Sequence, residues 1–164
     1  MPSGIDSHYQ TYFPAIREKC RRMLGDSEEA QDVAQETFIK LWRSGLADAD
    51  VRRATAWIYT TSTRLAVDRL RRRRRSTALA ASQGPVAPVA SGNLEDALLT
   101  REELERLAAH VSGRELEVAV LHRLDGVSQP EIAQLTGSSE RTVRRLLERF
   151  DASLKTLRSK GATP

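Results

Sequence analysis

Apolar side chains recur along the chain at spacings of three and four residues, and strict alternation of apolar and polar positions is nearly absent. This period is typical of amphipathic α-helices that bury one face. The first half of the chain holds three such segments, at 5–24, 28–44 and 53–73. The second half holds four, at 94–110, 113–124, 129–136 and 139–158. The pattern predicts an all-α fold.

Two of these segments have especially regular apolar stripes. The stripe of the first consists of Tyr9, Phe13, Ile16, Cys20 and Leu24, and that of the last consists of Val143, Leu147, Phe150, Leu154 and Leu157. Residues at these spacings lie on one face of a helix, so both stripes are predicted to face a core. Trp57, on the broad apolar face of 53–73, is also interpreted as a core residue.

Residues 76–93 separate the two halves and carry no charge. They are small side chains interrupted by Gly84, Pro85, Pro88 and Gly92. Such a segment buries too little apolar surface to offset its ordering entropy, which predicts a flexible linker between modules at 1–75 and 94–164; a long surface loop within one domain is the alternative. A linker of this length has a root-mean-square reach of roughly 25 Å and a stretched length of about 60 Å.

Composition narrows the classes of protein that fit. Aromatic residues make up only 5% of the chain, which argues against aromatic-rich β folds. No apolar run reaches about 18 residues, and the first residues lack the basic-then-apolar pattern of a secretory signal, so we expect a cytoplasmic protein with no membrane contact of its own. A single cysteine, Cys20, excludes an intramolecular disulfide and a cysteine-cluster zinc site.

Charge is distributed in blocks. Residues 1–75 hold 15 Lys or Arg against 10 Asp or Glu, residues 94–137 hold 4 against 9, and residues 138–164 hold 7 against 3. Five consecutive arginines occupy positions 71–75. Basic blocks of this kind fit a polyanion, most often nucleic acid. The acidic stretch 94–110 is interpreted as an ordinary lead-in to the second module.

The clearest local motif lies in the second module. Ser128 and Glu131 form a capping box, Pro130 fits the first helical turn, and Gly137 fits a left-handed helix end. Ser139 can cap the next helix. Two helices joined by a short glycine-containing turn predict a helix-turn-helix.

The helix after that turn carries a basic outer face. Arginine can grip phosphate or the major-groove edge of guanine, and threonine can touch a thymine methyl. These residue types predict duplex DNA binding, with a solvated basic face as the alternative. The candidate residues are Ser139, Arg141, Thr142, Arg144, Arg145, Glu148 and Arg149.

The first module has two candidate surfaces. On the 28–44 helix, Asp32, Gln35, Glu36 and Ile39 lie off the apolar stripe, and periodicity alone favours a solvated acidic face over a docking surface. On the 53–73 helix and the arginine run, aromatic and hydroxyl side chains accompany cations, which fits unpaired bases and phosphates, with a solvated helix end as the alternative for the arginine run. The candidates there are Tyr59, Thr60, Thr63, Arg64, Arg69, Arg71, Arg72 and Arg73.

No catalytic or metal-binding constellation accompanies these surfaces. The histidines, His8, His110 and His122, lack metal-ligand spacing, and neither a phosphate-binding glycine loop nor a nucleophile elbow is present. We expect no enzyme activity and no cofactor.

Several of these motifs together resemble a known family. The stretch LGDSEEAQDVAQETFIKLW at 24–42 and the AWIYTTSTRLAVDRLRRRRR that follows resemble region 2 of sigma-70 family transcription initiation factors. The stretch 113–150, which contains LHRLDGVSQPEIAQLTGSSERTVRRLLERF, resembles region 4. The two regions without an intervening region 3 are the layout of the extracytoplasmic-function (ECF) group.

The resemblance implies a role for each candidate surface. Asp32, Gln35, Glu36 and Ile39 would bind the core RNA polymerase, which reverses the interpretation from periodicity. The segment at about 59–75 would recognise and open the −10 element of promoter DNA, and 139–149 would read the −35 element as duplex. An anti-sigma protein is a further expected partner. A scaffold, the polymerase, would have to hold the two modules apart.

This chain departs from the family pattern at four places. Arg64 stands where asparagine is usual, and Thr61-Ser62 where an apolar-alanine pair is usual. Val111-Ser112-Gly113 replaces the usual Leu-Pro-Pro, and Leu146 stands where a basic residue is common, so that helix is expected to lack one DNA contact or to pack more broadly. Two other functions fit parts of the chain: a sigma-like mimic that sequesters an anti-sigma factor, and a plain helix-turn-helix regulator, which leaves the Asp32 surface unexplained.

Overall fold

The structure, a computed structural model, describes residues 4–79 and 99–161. Every regular element in those residues is helical, which confirms the all-α prediction. A short 3₁₀ helix, Leu46–Asp48, follows the second α-helix. The α-helices are Gly4–Leu24 (α1), Ser27–Ser44 (α2), Val51–Leu79 (α3), Arg101–Leu107 (α4), Gly113–Arg123 (α5), Gln129–Thr136 (α6) and Glu140–Gly161 (α7).

The first three helices pack on one another around a core that includes Ile16, Leu41 and Ile58. The turn between α1 and α2 is local in origin. Gly25 has a φ of 71°, a left-handed conformation that glycine adopts without steric cost. Asp26 then caps α2, because its side chain accepts the backbone N–H groups of Glu28 and Glu29.

The last four helices form the second module. Its core includes Leu116, Leu121, Ile132 and Phe150, all fully buried. Leu146 is also buried, at 7% exposure, so α7 packs more broadly than its four-three stripe alone requires. This is one of the two outcomes expected at that position, and it follows from an apolar residue replacing a basic one.

Some boundaries and placements differ from the sequence predictions. Helix α3 continues to Leu79, so the first four residues of the predicted linker are helical, and the rest of 76–93 lies outside the described residues. Tyr9 belongs to the predicted inward stripe of α1 but is 41% exposed, and its ring stacks on that of Phe13 at the rim of the core. Trp57 is partly buried and packs against the core, as expected.

The two modules touch directly. Helix α3 packs against α5 and also contacts α4 and α6, and α1 contacts α4. The predicted −10 helix therefore supplies most of the first module's contacts with the second, and α1 supplies the rest.

Candidate nucleic-acid and polymerase interfaces

The helix-turn-helix is formed by α6, a short turn and α7. Both halves of the Ser128–Glu131 capping box are present, and Gly137 ends α6 with a φ of 66°. The Ser139 hydroxyl accepts the backbone N–H of Thr142 at 3.1 Å, which caps α7. These local contacts confirm the turn and caps predicted from sequence and hold α7 at a defined angle to α6.

The outer face of α7 is basic and open to solvent. Arg141, Arg144, Arg145 and Arg149 are all exposed, and Glu148 lies exposed among them. None of the four arginines forms an ion pair within 4–79 and 99–161. Unpaired guanidinium groups on one helix face can bind phosphate or guanine without first breaking an internal contact.

The acidic surface of α2 is also open. Asp32 and Gln35 are exposed, and Ile39 is 47% exposed. Glu36 is half-buried and lies 3.9 Å from Lys40 Nζ and 3.7 Å from Arg69 Nη2. The structure therefore places all four predicted docking residues along one helix, with Glu36 also facing α3.

An apolar groove that sequence reasoning missed borders this surface. It is lined by Tyr9, Phe38, Trp42, Gln35 and Ile39. Trp42 is 67% exposed, an unusual state for so large an apolar side chain. The sequence signal was present, since Trp42 lies three residues after Ile39 and so on the same side of α2.

Most of the predicted −10 residues of α3 are buried or partly buried. Thr60 and Thr63 are buried at 6% and 0% exposure, and Tyr59 is partly buried. The Thr63 hydroxyl donates to the Tyr59 carbonyl at 2.8 Å and accepts from Lys19 Nζ at 2.5 Å. Burial raises the pKa of the Tyr59 hydroxyl. Only Arg72 and Arg64 of the eight are exposed residues.

Three of the α3 arginines assigned to the −10 element, Arg64, Arg69 and Arg73, are paired with carboxylates. Arg69 lies 3.8 Å from Glu29 as well as near Glu36. Arg73 donates to the Leu24 carbonyl at 2.6 Å and pairs with Glu29. From the second module, Glu105 lies 3.2 Å from Arg73. The acidic stretch at 94–110 is thus more than a lead-in, because one of its carboxylates binds the first module.

A buried ion pair joins the two modules. Lys19 of α1 donates to Asp125, which follows α5, at 2.6 Å, and the two side chains are only 6% and 5% exposed. Burial raises the pKa of the Asp125 carboxyl, and the adjacent Lys19 opposes that rise. A second pair joins Arg64 Nε and Glu117 at 2.8 Å. These pairs were not predicted from sequence.

The part of the chain that the structure describes contains no group of three or more His, Cys, Asp and Glu side chains able to hold a metal. Among the same residues, no helix is both long and apolar enough to cross a bilayer.

Comparison with known proteins identifies both modules. A family model for sigma-70 region 2 matches residues 8–76, and one for sigma-70 region 4 matches residues 101–149. The ECF RNA polymerase sigma factor SigW of Bacillus subtilis is 30% identical over an alignment of 156 positions, which covers 88% of this chain and 83% of SigW.

Two other proteins are also similar to this chain, one in sequence and one in structure. The probable ECF RNA polymerase sigma factor SigI of Mycobacterium tuberculosis is 33% identical over an alignment of 137 positions, which covers 78% of this chain and 46% of SigI, so the chain spans about half the length of that relative. Sigma factor RpoE, in a co-crystal structure with the anti-sigma factor NepR from Bartonella quintana, has the same fold, with a TM-score of 0.59 over 94% of this chain and 96% of that one at 19% identity. The chain belongs to the ECF group of sigma-70 family RNA polymerase sigma factors.

Proposed function

We propose that this protein is a transcription initiation factor that binds core RNA polymerase and directs it to specific promoters. The second module reads the −35 element as duplex, and the first reads and opens the −10 element. The observation that carries the proposal is the exposed, unpaired basic face of α7 on a fully capped helix-turn-helix. The site of action is the cytoplasm, where polymerase and promoter DNA are found.

Duplex binding is assigned to the outer face of α7. Arg141, Arg144, Arg145 and Arg149 can contact phosphates or guanine edges once α7 lies in the major groove. Thr142 and Ser139 lie at the start of the helix, where a recognition helix enters the groove, and Glu148 can accept from a cytosine amino group. Together these residues supply phosphate contacts, which position the helix on DNA, and base contacts, which read the sequence.

Polymerase docking is assigned to the acidic surface of α2. Asp32, Gln35 and Ile39 are exposed on one helix, and Glu36 lies beside them. The groove at Tyr9 and Trp42 extends this surface with apolar area that a partner can bury. Carboxylates and an amide around apolar residues fit a basic, amphipathic protein surface and disfavour DNA.

The −10 element is assigned to α3. Tyr59, Thr60 and Thr63 offer an aromatic ring and hydroxyl groups for unpaired bases. Arg64, Arg69, Arg71, Arg72 and Arg73 follow along the same helix and can hold the phosphate backbone. Arginine at position 64 would add a phosphate contact where the family usually has an amide.

The test is transcription in vitro with purified core polymerase on fragments of the host genome, with RNA 5′ ends mapped. We expect site-selective starts that depend on the added protein. Arg144→Ala should lower their yield, and Asp32→Ala and Gln35→Ala should lower capture of polymerase in pulldown. Gln10→Ala, an exposed glutamine on α1, is the matched control and should do neither.

Each alternative predicts a different result in the same assay. Unchanged polymerase capture by Asp32→Ala and Gln35→Ala would contradict the docking assignment. A sigma-like mimic would bind an anti-sigma factor without producing RNA starts, and a plain helix-turn-helix regulator would bind duplex DNA without capturing polymerase. An anti-sigma factor remains a proposed partner for the initiation factor itself, since the structurally similar RpoE was crystallised with one.

A further inference from the structure

The exposed side chains of α7 point in different directions around the helix axis. Successive residues of an α-helix are about 100° apart, so each side chain has a fixed angle to the buried stripe of α7. Arg141, Arg145 and Glu148 lie within about 40° of the direction opposite that stripe. Arg144 and Arg149 lie about 60–80° to either side of that direction. Three side chains therefore point away from the core, and an arginine flanks them on each side.

These directions decide what each side chain meets in a major groove. A helix that lies in the groove turns its outermost side chains toward the base edges on the floor and its flanks toward the two sugar-phosphate backbones that border the groove. Arg141, Arg145 and Glu148 therefore face bases, and Arg144 and Arg149 face phosphates. Along the axis, Arg141 and Glu148 are about 10 Å apart, which corresponds to about three base-pair steps of roughly 3.4 Å.

Glu148 is the residue on this face that attraction to DNA alone does not explain. A carboxylate among arginines repels phosphates, so it weakens binding that is independent of sequence. The other two carboxylates of α7 have structural explanations. Glu140 lies in the first turn, where negative charge complements the helix dipole, and Asp151 pairs with Arg123 of α5.

A salt bridge within α7 would be the simplest structural role for Glu148, and the structure does not support it. Arg144 and Arg145 precede Glu148 by four and three residues, the spacings at which opposite charges can pair on a helix. In both cases the cation is on the N-terminal side, which is the less favourable order. Glu148 forms no ion pair within the part of the chain that the structure describes, so its carboxylate is open to an external hydrogen-bond donor.

The chemistry of the groove floor selects that donor. Cytosine presents its N4 amino group, which a carboxylate can accept. Adenine also presents an amino group, but beside the N7 acceptor, which an ionised carboxylate cannot satisfy because it has no proton to donate. Arginine has the opposite preference, because it donates to O6 and N7 of guanine together.

We propose that Arg141, Arg145 and Glu148 are the sequence-reading residues of α7, and that the −35 elements of this protein present guanines to the two arginines and a cytosine to Glu148. The proposal deepens the proposed function and rests on it, because it takes α7 to be the −35 reader. Arg144 and Arg149 hold the helix in register through phosphates and select no base.

The experiment measures base preference with the full chain and a library of DNA duplexes whose central positions are randomised. Bound duplexes are separated and sequenced for the unsubstituted protein and for Glu148→Gln, Arg145→Gln and Arg149→Gln. Glutamine is the informative replacement, because it pairs with N6 and N7 of adenine. Arg149→Gln is the matched control for Arg145→Gln, since it makes the same change on a flank of the same helix. All three side chains are exposed, so the fold should be kept.

Each substitution has its own expected result. Glu148→Gln should change the preferred base at one position from cytosine to adenine and leave the guanines unchanged. Arg145→Gln should change one guanine to adenine and leave the cytosine unchanged. Each switch should amount to about fivefold or more, the discrimination that one good base contact provides. Arg149→Gln should weaken all sequences alike and reduce the slope of log affinity against log salt concentration by about 1.

The failing outcomes are distinct. Retention of the cytosine preference in Glu148→Gln would show that Glu148 does not read a base, and a changed base preference in Arg149→Gln would remove the division between outermost and flanking side chains. Either result overturns the proposal and leaves the proposed function intact, because the protein still selects duplex sequences. The proposed function itself fails if the unsubstituted chain enriches no sequence from the library and gives purified polymerase no site-selective starts.

Discussion

The two surfaces assigned to promoter DNA are built from the same residue types but are in opposite states. The arginines of α7 are exposed and form no ion pair within the described residues. Those of α3 are paired with carboxylates at Arg64, Arg69 and Arg73. A guanidinium without a partner can bind phosphate immediately, whereas a paired one must first give up an existing contact. The number of arginines therefore does not determine which module binds DNA first.

The difference follows from what supports each helix. Helix α7 is held from behind by an apolar stripe that includes Val143, Leu147 and Phe150, so its other face stays free. Helix α3 is buried on the side of α1 and α2 and is also contacted by α5. Several of its polar side chains, among them Thr63, Arg64 and Arg73, thus contact other elements of the protein.

The largest expected effect comes from removing the support of α7. Phe150 is fully buried, and Phe150→Ala should lower the free energy of unfolding by about 3–5 kcal/mol through lost contacts and a cavity. Duplex binding should be lost although every arginine remains. Urea unfolding followed at 222 nm measures the change, with Arg149→Ala as the exposed neighbour that should alter stability by less than about 0.5 kcal/mol.

Much of this architecture is encoded locally. The stripes of α1 and α7, the Ser128 capping box and the left-handed Gly137 each depend on residues within a few positions of one another, and all were predictable. Periodicity alone fails at two positions. Tyr9 belongs to the apolar stripe but lies at the rim of the core, and the exposure of Trp42 depends on how α1 and α2 meet.

The contact between modules could not be predicted from local sequence patterns. Lys19 and Asp125 are 106 positions apart, and Arg64 and Glu117 are 53 apart, so no helical period links them. Charged residues are usually exposed, so the identities of these residues predict a position in solvent and not in a buried ion pair. The one available signal was the opposite net charge of 1–75 and 94–137, which indicates attraction but selects no partners.

The second prediction compares how much each of the two surfaces contributes to duplex affinity in the free protein. Arg144→Ala and Arg145→Ala should each lower affinity for promoter duplex by about 1–3 kcal/mol and leave stability unchanged, because both side chains are exposed. Arg64→Ala should change duplex affinity of the free protein far less, because its guanidinium is already paired. Fluorescence anisotropy at several salt concentrations measures both effects, with Lys155→Ala as an exposed cation farther along α7. Equal losses at Arg64 and Arg144 would remove the distinction between the two surfaces.

The third prediction concerns the interior of the first module next to Lys19. Burial raises the pKa of the Cys20 thiol from 9.0 to about 11. Because the folded-state pKa lies above the unfolded value, the stabilisation is complete below about pH 9 and is lost as pH rises through 11, with about 2 kcal/mol lost by about pH 10.5. Urea unfolding at both ends of this range should show a steeper decline for the natural protein than for Cys20→Ala. Identical declines would mean that the thiol is not buried.

The smallest expected effects come from removing one helix cap in each module. These substitutions test whether the two modules, and the DNA surfaces that they carry, unfold as one unit. Asp26 caps α2, and Ser128 caps α6. Asp26→Ala and Ser128→Ala should each lower stability by about 1 kcal/mol. In the unsubstituted chain both should shift a single thermal transition, because packed modules unfold together. Asp125→Asn removes one partner of the buried Lys19–Asp125 pair, and in that background each cap substitution should shift only the transition of its own module. Two independent transitions in the unsubstituted chain would show that the contact at Lys19 is too weak to couple the modules, and Arg64, which pairs with Glu117 of the second module, would then be as available to DNA as the arginines of α7.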